Sequence, residues 1–68
     1  MFQEPTNPIQ LARHRAGISQ VTLSLRARLS LSTIRNAEHG IATRSTLAAV
    51  ARALGISVDE LIGRRGGR

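Results

Sequence analysis

The fold is decided by residues 17–40, which read GISQVTLSLRARLSLSTIRNAEHG. Ser19 and Ser30 each follow an apolar residue and precede a stretch with helical apolar spacing, which is the pattern of a helix N-cap. The apolar residue before each serine can pack onto the first turn of its helix and fix the direction of the entering chain. We therefore predict two helices, at about 20–27 and 31–38, joined by only three residues.

A connection of this length makes the two helices cross at a steep angle, as in a helix-turn-helix. In the second helix, Ile34 and Ala37 are apolar at i, i+3 spacing and are expected to face inward. The opposite side carries one continuous polar stripe, formed by Ser32, Arg35, Asn36 and His39.

The residue types in this stripe suit contact with DNA bases. Arg35 can fork onto guanine O6 and N7, Asn36 can pair with adenine N6 and N7, and Ser32 can bond to several bases. Leu31, at the helix start, can touch a thymine methyl group, and an α-helix fits the major groove. The competing interpretation is a merely solvated helix face, which the stripe alone does not exclude.

The same start and stop signals predict three more helices, at about 8–16, 44–54 and 58–62, with Asn7, Thr43 and Ser57 as their caps. No segment alternates with period two, so the predicted fold class is all-α, with five short helices and no sheet. One domain is expected, between a flexible N-terminal arm and a flexible basic tail. The corresponding ranges are 7–63 for the domain, 1–6 for the arm and 64–68 for the tail.

Composition narrows the class of protein. The 68 residues carry a net charge of +6, all ten basic residues are arginine, and cysteine is absent. A small basic domain suggests a polyanionic partner, and the lack of cysteine excludes a disulfide framework. Neither a membrane-spanning run nor a secretory signal is present, so a cytoplasmic protein is expected. A cationic membrane-surface peptide is the weaker alternative, because basic and apolar residues do not segregate along one long helix.

No group of residues in the sequence indicates catalysis, a cofactor or a metal. His14 and His39 have no cysteine or acid cluster at ligand spacing. Asp59 and Glu60 are explained by their place at a helix start, where acids complement the helix dipole. The serines at helix starts act as caps, since none has a base and an orienting acid within plausible reach. We therefore expect a protein that is not an enzyme and takes no cofactor.

Residues 17–40, followed by TRSTLAAVARALGISVDELI at 43–62, resemble the lambda-repressor/Cro-like (XRE-type) helix-turn-helix family. The resemblance covers about residues 9–62 without gaps and implies a five-helix DNA-binding domain, usually dimeric and mostly bacterial or phage. By position, it implies base contacts from Leu31, Ser32, Arg35 and Asn36. It implies phosphate contacts from Gln20, Thr33, His39 and Arg44.

The resemblance also implies structural roles for several residues. Gln20 matches a residue that braces the recognition helix, and Arg13 and Glu38 match an internal salt bridge of some members. The alternative for Arg13 is an exposed phosphate contact. Arg28 stands where the family usually has a left-handed glycine, so either the arginine is strained by about 1 kcal/mol or the turn differs.

Two further departures concern packing and base preference. Alanine replaces larger apolar residues at three positions, which predicts a thin core: Ala12, Ala27 and Ala37. Either a larger residue compensates for this or one of the candidates remains exposed, and the candidates are Leu11, Val21 and Leu25. Leu31 replaces a commoner polar residue at a base-reading position.

The sequence as a whole predicts a transcriptional regulator, a repressor that binds a palindromic operator on double-stranded DNA as a homodimer. Its two recognition helices would lie about 34 Å apart, one turn of DNA. The alternative is the antitoxin of a toxin–antitoxin pair, which binds a toxin and represses its own operon. Four apolar residues near the last helix either form the dimer interface or close the monomer core: Ile56, Val58, Leu61 and Ile62.

Overall fold

The computed structural model describes residues 7–63, and the expected arm at 1–6 and tail at 64–68 lie outside that range. Within it the chain forms five α-helices and no strand: α1 (Pro8–Ala16), α2 (Gln20–Ala27), α3 (Leu31–Glu38), α4 (Arg44–Leu54) and α5 (Val58–Leu61). The all-α prediction is confirmed, and the helix bounds agree except that α5 ends one residue earlier than expected. None of these helices is long and apolar enough to span a membrane.

Each helix begins at a side-chain cap. The residue before the helix is extended, and its side-chain oxygen accepts a hydrogen bond from a backbone amide in the first turn. Such a cap contributes about 1 kcal/mol relative to alanine. The five cap residues are Asn7, Ser19, Ser30, Thr43 and Ser57. At α5 the cap is reciprocal, because the Glu60 carboxylate also accepts from the Ser57 amide at 3.1 Å.

The turn between α2 and α3 begins with a residue in the left-handed conformation. Arg28 has φ 58° and ψ 42°, in the left-handed region. Its position lets the Leu29 amide donate to the Ser24 carbonyl at 2.9 Å, which closes the end of α2. Of the two expectations for this position, the structure therefore shows the strained arginine and not an altered turn.

The core lies where all five helices meet and consists only of small and medium aliphatic residues. Its buried members are Ile9, Leu23, Ile34, Ala37, Val50, Ala51 and Leu61. Two of the large residues considered as compensation for the alanines remain on the surface, since Val21 is 52% exposed and Leu25 is 74% exposed. Leu11 is half-buried.

The apolar residues of the last helix close the core of the single chain. Leu61 is only 3% exposed, and Ile56 and Val58 are partly buried against the core. Leu61 therefore serves the core of the single chain, because α5 packs on α1 and α4. Ile62, directly after α5, is half-buried.

Candidate nucleic-acid interface

α3 packs against the core with one side and exposes a polar side to solvent. Ile34 is fully buried and Ala37 is 1% exposed, and α3 packs against both α1 and α2. This inner contact fixes which side of the helix faces solvent. The exposed side carries Ser32, Arg35 and Asn36, whereas Leu31 at the first position is half-buried. One short helix therefore presents three side chains that can hydrogen-bond to base edges.

Two of the expected phosphate ligands belong to α3 or to its end. The Thr33 hydroxyl lies 2.7 Å from the Ser30 hydroxyl, so part of its hydrogen-bonding capacity is used within the first turn. His39 is exposed, and its Nδ1 donates to the Arg35 carbonyl at 2.8 Å, because a carbonyl oxygen can only accept. This contact fixes the imidazole ring beside the polar stripe. It does not involve Nε2.

The other two expected phosphate ligands lie on neighbouring helices. Gln20, the first residue of α2, is half-buried, and its Nε2 donates to Glu38 Oε1 at 3.0 Å. That hydrogen bond joins α2 to the end of α3, which is the bracing role that the resemblance implied. Arg44 is exposed at the first position of α4, which packs against α2, and makes no hydrogen bond to α3 within the described range.

Arg13 and Glu38 form a two-point ion pair inside the domain. Arg13 Nε donates to Glu38 Oε2 at 2.6 Å, and Nη2 donates to Oε1 at 3.3 Å. The side chains are 13% and 3% exposed, and Arg13 Nη1 also donates to the Ile18 carbonyl at 2.9 Å. The guanidinium is therefore committed to the interior, which argues against the alternative of an exposed phosphate contact.

Burial of Glu38 leaves the α2–α3 surface purely basic. Glu38 is the only acid between residues 20 and 38, and its charge is paired with Arg13. The exposed charged residues of the same range are all cations: Arg26, Arg28 and Arg35. The exposed surface of this helix pair therefore suits a polyanion such as DNA.

Sequence reasoning identified Asn7 only as a helix cap and missed its second contact. Asn7 Nδ2 donates to the Ala37 carbonyl, 30 residues away, at 3.0 Å. An amide, unlike the hydroxyl caps of the other helices, has both an acceptor and two N–H donors. The only signal of this second contact in the sequence was the use of asparagine as the cap. No local pattern identifies Ala37 as its partner.

Comparison with known protein families gives a match over most of the domain. The family model described as helix-turn-helix matches residues 9–61, from the first turn of α1 to the end of α5. Searches of curated proteins and of solved structures found no match.

Proposed function

Because the chain belongs to the XRE/lambda-repressor-like helix-turn-helix family, a family of DNA-binding regulators, we propose that it represses transcription by reading a specific operator with α3. The observation that carries the proposal is the two-sided character of that helix. Ile34 and Ala37 are buried, while Ser32, Arg35 and Asn36 are exposed together. Base contacts from this stripe would supply sequence information, and phosphate contacts around it would fix the register.

The chemistry of each side chain determines which part of the DNA it would contact. Arg35 would fork onto guanine and Asn36 onto adenine in the major groove, with Ser32 and Leu31 completing the reading surface. Phosphate contacts would come from Gln20, Thr33, His39 and Arg44. Gln20 can serve both roles proposed for it, since one N–H of its amide contacts Glu38 and the amide carries a second.

We further propose that the protein acts as a homodimer through the groove between α1 and α5. The groove is open, measures about 830 Å³ and includes Leu11 and Ile62 in its lining. Its walls carry opposite charges, with Arg15 on α1 and Asp59 and Glu60 on α5. A twofold arrangement would set each Arg15 against the acids of the other copy, as a self-complementary interface requires. Sedimentation at micromolar concentration should give a dimer, and charge reversal of Arg15 should give a monomer.

Selection from random DNA tests the proposed function. The protein should enrich one sequence with two related half-sites about 10 base pairs apart, and a mobility shift on that sequence should persist at physiological salt. The absence of any preferred sequence would refute the proposal. A second small protein that co-purifies with the chain would instead favour the antitoxin alternative. Operator binding implies that the protein acts in the cytoplasm.

A further inference from the structure

Asn7 joins the start of α1 to the end of α3 through a single side chain. Its Oδ1 accepts from the amides of Ile9 at 2.8 Å and Gln10 at 3.2 Å, which caps α1. Its Nδ2 donates at 3.0 Å to the carbonyl of Ala37, one residue before the end of α3. The two ends of one planar amide therefore fix the relative position of two helix termini.

The end of α3 depends on such contacts. α3 has only eight residues, and isolated helices of this length are not stable in water, so neighbours must set its orientation. The Ala37 carbonyl in the last turn accepts from the Gly40 amide at 3.1 Å as well as from Asn7. Three side chains from outside α3 donate to its last two residues: Asn7 to Ala37, and Arg13 and Gln20 to Glu38.

We propose that Asn7 is a positioning residue for DNA reading, an inference that rests on the proposed function of α3. Ile34 anchors the middle of the helix, and the Asn7 contact fixes its last turn. Arg13 and Gln20 hold the Glu38 side chain whether or not the Nδ2 donor is present. Loss of that donor therefore frees only the backbone of the last turn, which then shifts Arg35 and Asn36 relative to the base edges. Base contacts tolerate a displacement of only about 0.5 Å, whereas non-specific attraction to phosphates does not depend on such geometry.

The two roles of Asn7 can be separated by substitution. Serine and aspartate are about as good as asparagine at an N-cap, so Asn7→Ser and Asn7→Asp should both keep α1 capped. Neither replacement has the amide N–H that reaches Ala37, and aspartate places a carboxylate beside that carbonyl. A loss shared by both variants therefore reports the contact with α3 and not the cap of α1.

A matched control is available at the far end of the domain. Ser57→Ala removes the cap of α5, a helix that packs on α1 and α4, and leaves every described contact of α3 in place. This variant lowers overall stability by about 1 kcal/mol without touching the recognition helix. A change in amide exchange that arises from reduced stability alone should therefore also appear in Ser57→Ala.

Amide hydrogen exchange provides the first readout. Exchange at His39, Gly40 and Ile41, whose amides donate to carbonyls in α3, is compared with exchange at Val50 in the buried middle of α4. In Asn7→Ser and Asn7→Asp the three amides should exchange about two- to tenfold faster relative to Val50, the range expected for one lost hydrogen bond. Ser57→Ala should leave this ratio unchanged.

The second readout is the ratio of dissociation constants for random and selected DNA. Both Asn7 variants should lower this specificity ratio by about two- to tenfold, with Asn7→Asp at least as affected as Asn7→Ser. Taking a ratio cancels the non-specific effect of the added negative charge. Ser57→Ala serves the exchange readout alone, because Ser57 lines the groove proposed as the dimer interface and a weaker dimer would itself lower the specificity ratio.

The proposal is overturned if the exchange ratio is unchanged in both Asn7 variants, or if exchange rises while DNA specificity stays at the wild-type value. Failure of the proposed function itself looks different. In that case the wild-type protein selects no sequence and Asn36→Ala has no specificity to lose. The exchange ratio then still decides whether Asn7 holds the end of α3.

Discussion

Glu38 is the residue on which three helices converge. Its carboxylate accepts from Arg13 on α1 and from Gln20 on α2, and it lies at the C-terminal end of α3. A negative charge is unfavourable there, because the helix dipole is negative at the same end. The three N–H donors offset that repulsion and the loss of water. As in other buried ion pairs, the pair of Arg13 and Glu38 contributes more to the orientation of the helices than to net stability.

Arg28 is the one strained residue among those described, since it is the only non-glycine with a positive φ. Arg28→Gly should raise the free energy of unfolding by about 1 kcal/mol, because glycine adopts the left-handed conformation without a Cβ clash. Urea denaturation measures the change.

Arg26→Gly is the matched control for this prediction, because it removes the same charge two residues earlier, inside α2. It should lower stability by up to about 1 kcal/mol, because Arg26 lies in the last turn of α2 and about 1 kcal/mol is the cost of glycine in a helix interior. Equal losses for both glycine variants would show that the left-handed conformation of Arg28 carries no strain.

At the scale of the helices, the sequence predicted the features that depend on residues close together in the chain. The helix starts followed from the sequence alone, because each cap and the amide that it bonds lie within four residues of each other, as at Asn7, Ser19 and Ser57. The contacts of Asn7 with Ala37 and of Gln20 with Glu38 were beyond reach of that reasoning, because they depend on how separate helices pack. The role of Gln20 as a brace came from family resemblance and not from a local pattern.

The cap of α3 can be tested at Ser30, which precedes the helix. The Ser30 hydroxyl accepts from the Thr33 amide at 3.1 Å. Ser30→Ala should lower the free energy of unfolding by about 1 kcal/mol, whereas Ser30→Asp should keep it near the wild-type value, because aspartate caps equally well. Thermal denaturation compares the two. If both variants lost the same stability, the cap would not be the reason that α3 begins at Leu31.

For the molecule as a whole, the limited core sets the stability. The buried cluster contains two alanines and no aromatic residue, and Val21 and Leu25 remain exposed on α2. Sequence analysis could identify the thin core but left the placement of these larger residues open. Their exposure follows from the packing of α2, which turns Leu23 and Ser24 inward against α3 and α4.

Two leucines in the same helix test this account of the core. Leu23 is fully buried, so Leu23→Ala should cost about 2 to 5 kcal/mol, enough to unfold much of a domain this small. Leu25 is 74% exposed, so Leu25→Ala should change stability by no more than about 0.5 kcal/mol. Chemical denaturation of both variants measures the contrast, and similar losses would contradict the described orientation of α2.

The central claim is that α3 reads bases while its surroundings hold the phosphate backbone. Both Asn36 and Arg44 are exposed, and they lie on different helices, so each can be changed without disturbing the core. The direct test is the affinity of Asn36→Ala and Arg44→Ala for the selected sequence and for random DNA at one salt concentration. Asn36→Ala should lose about 1 to 3 kcal/mol on the selected sequence and little on random DNA, while Arg44→Ala should weaken both alike. Equal losses on both DNAs for Asn36→Ala would contradict base reading by α3.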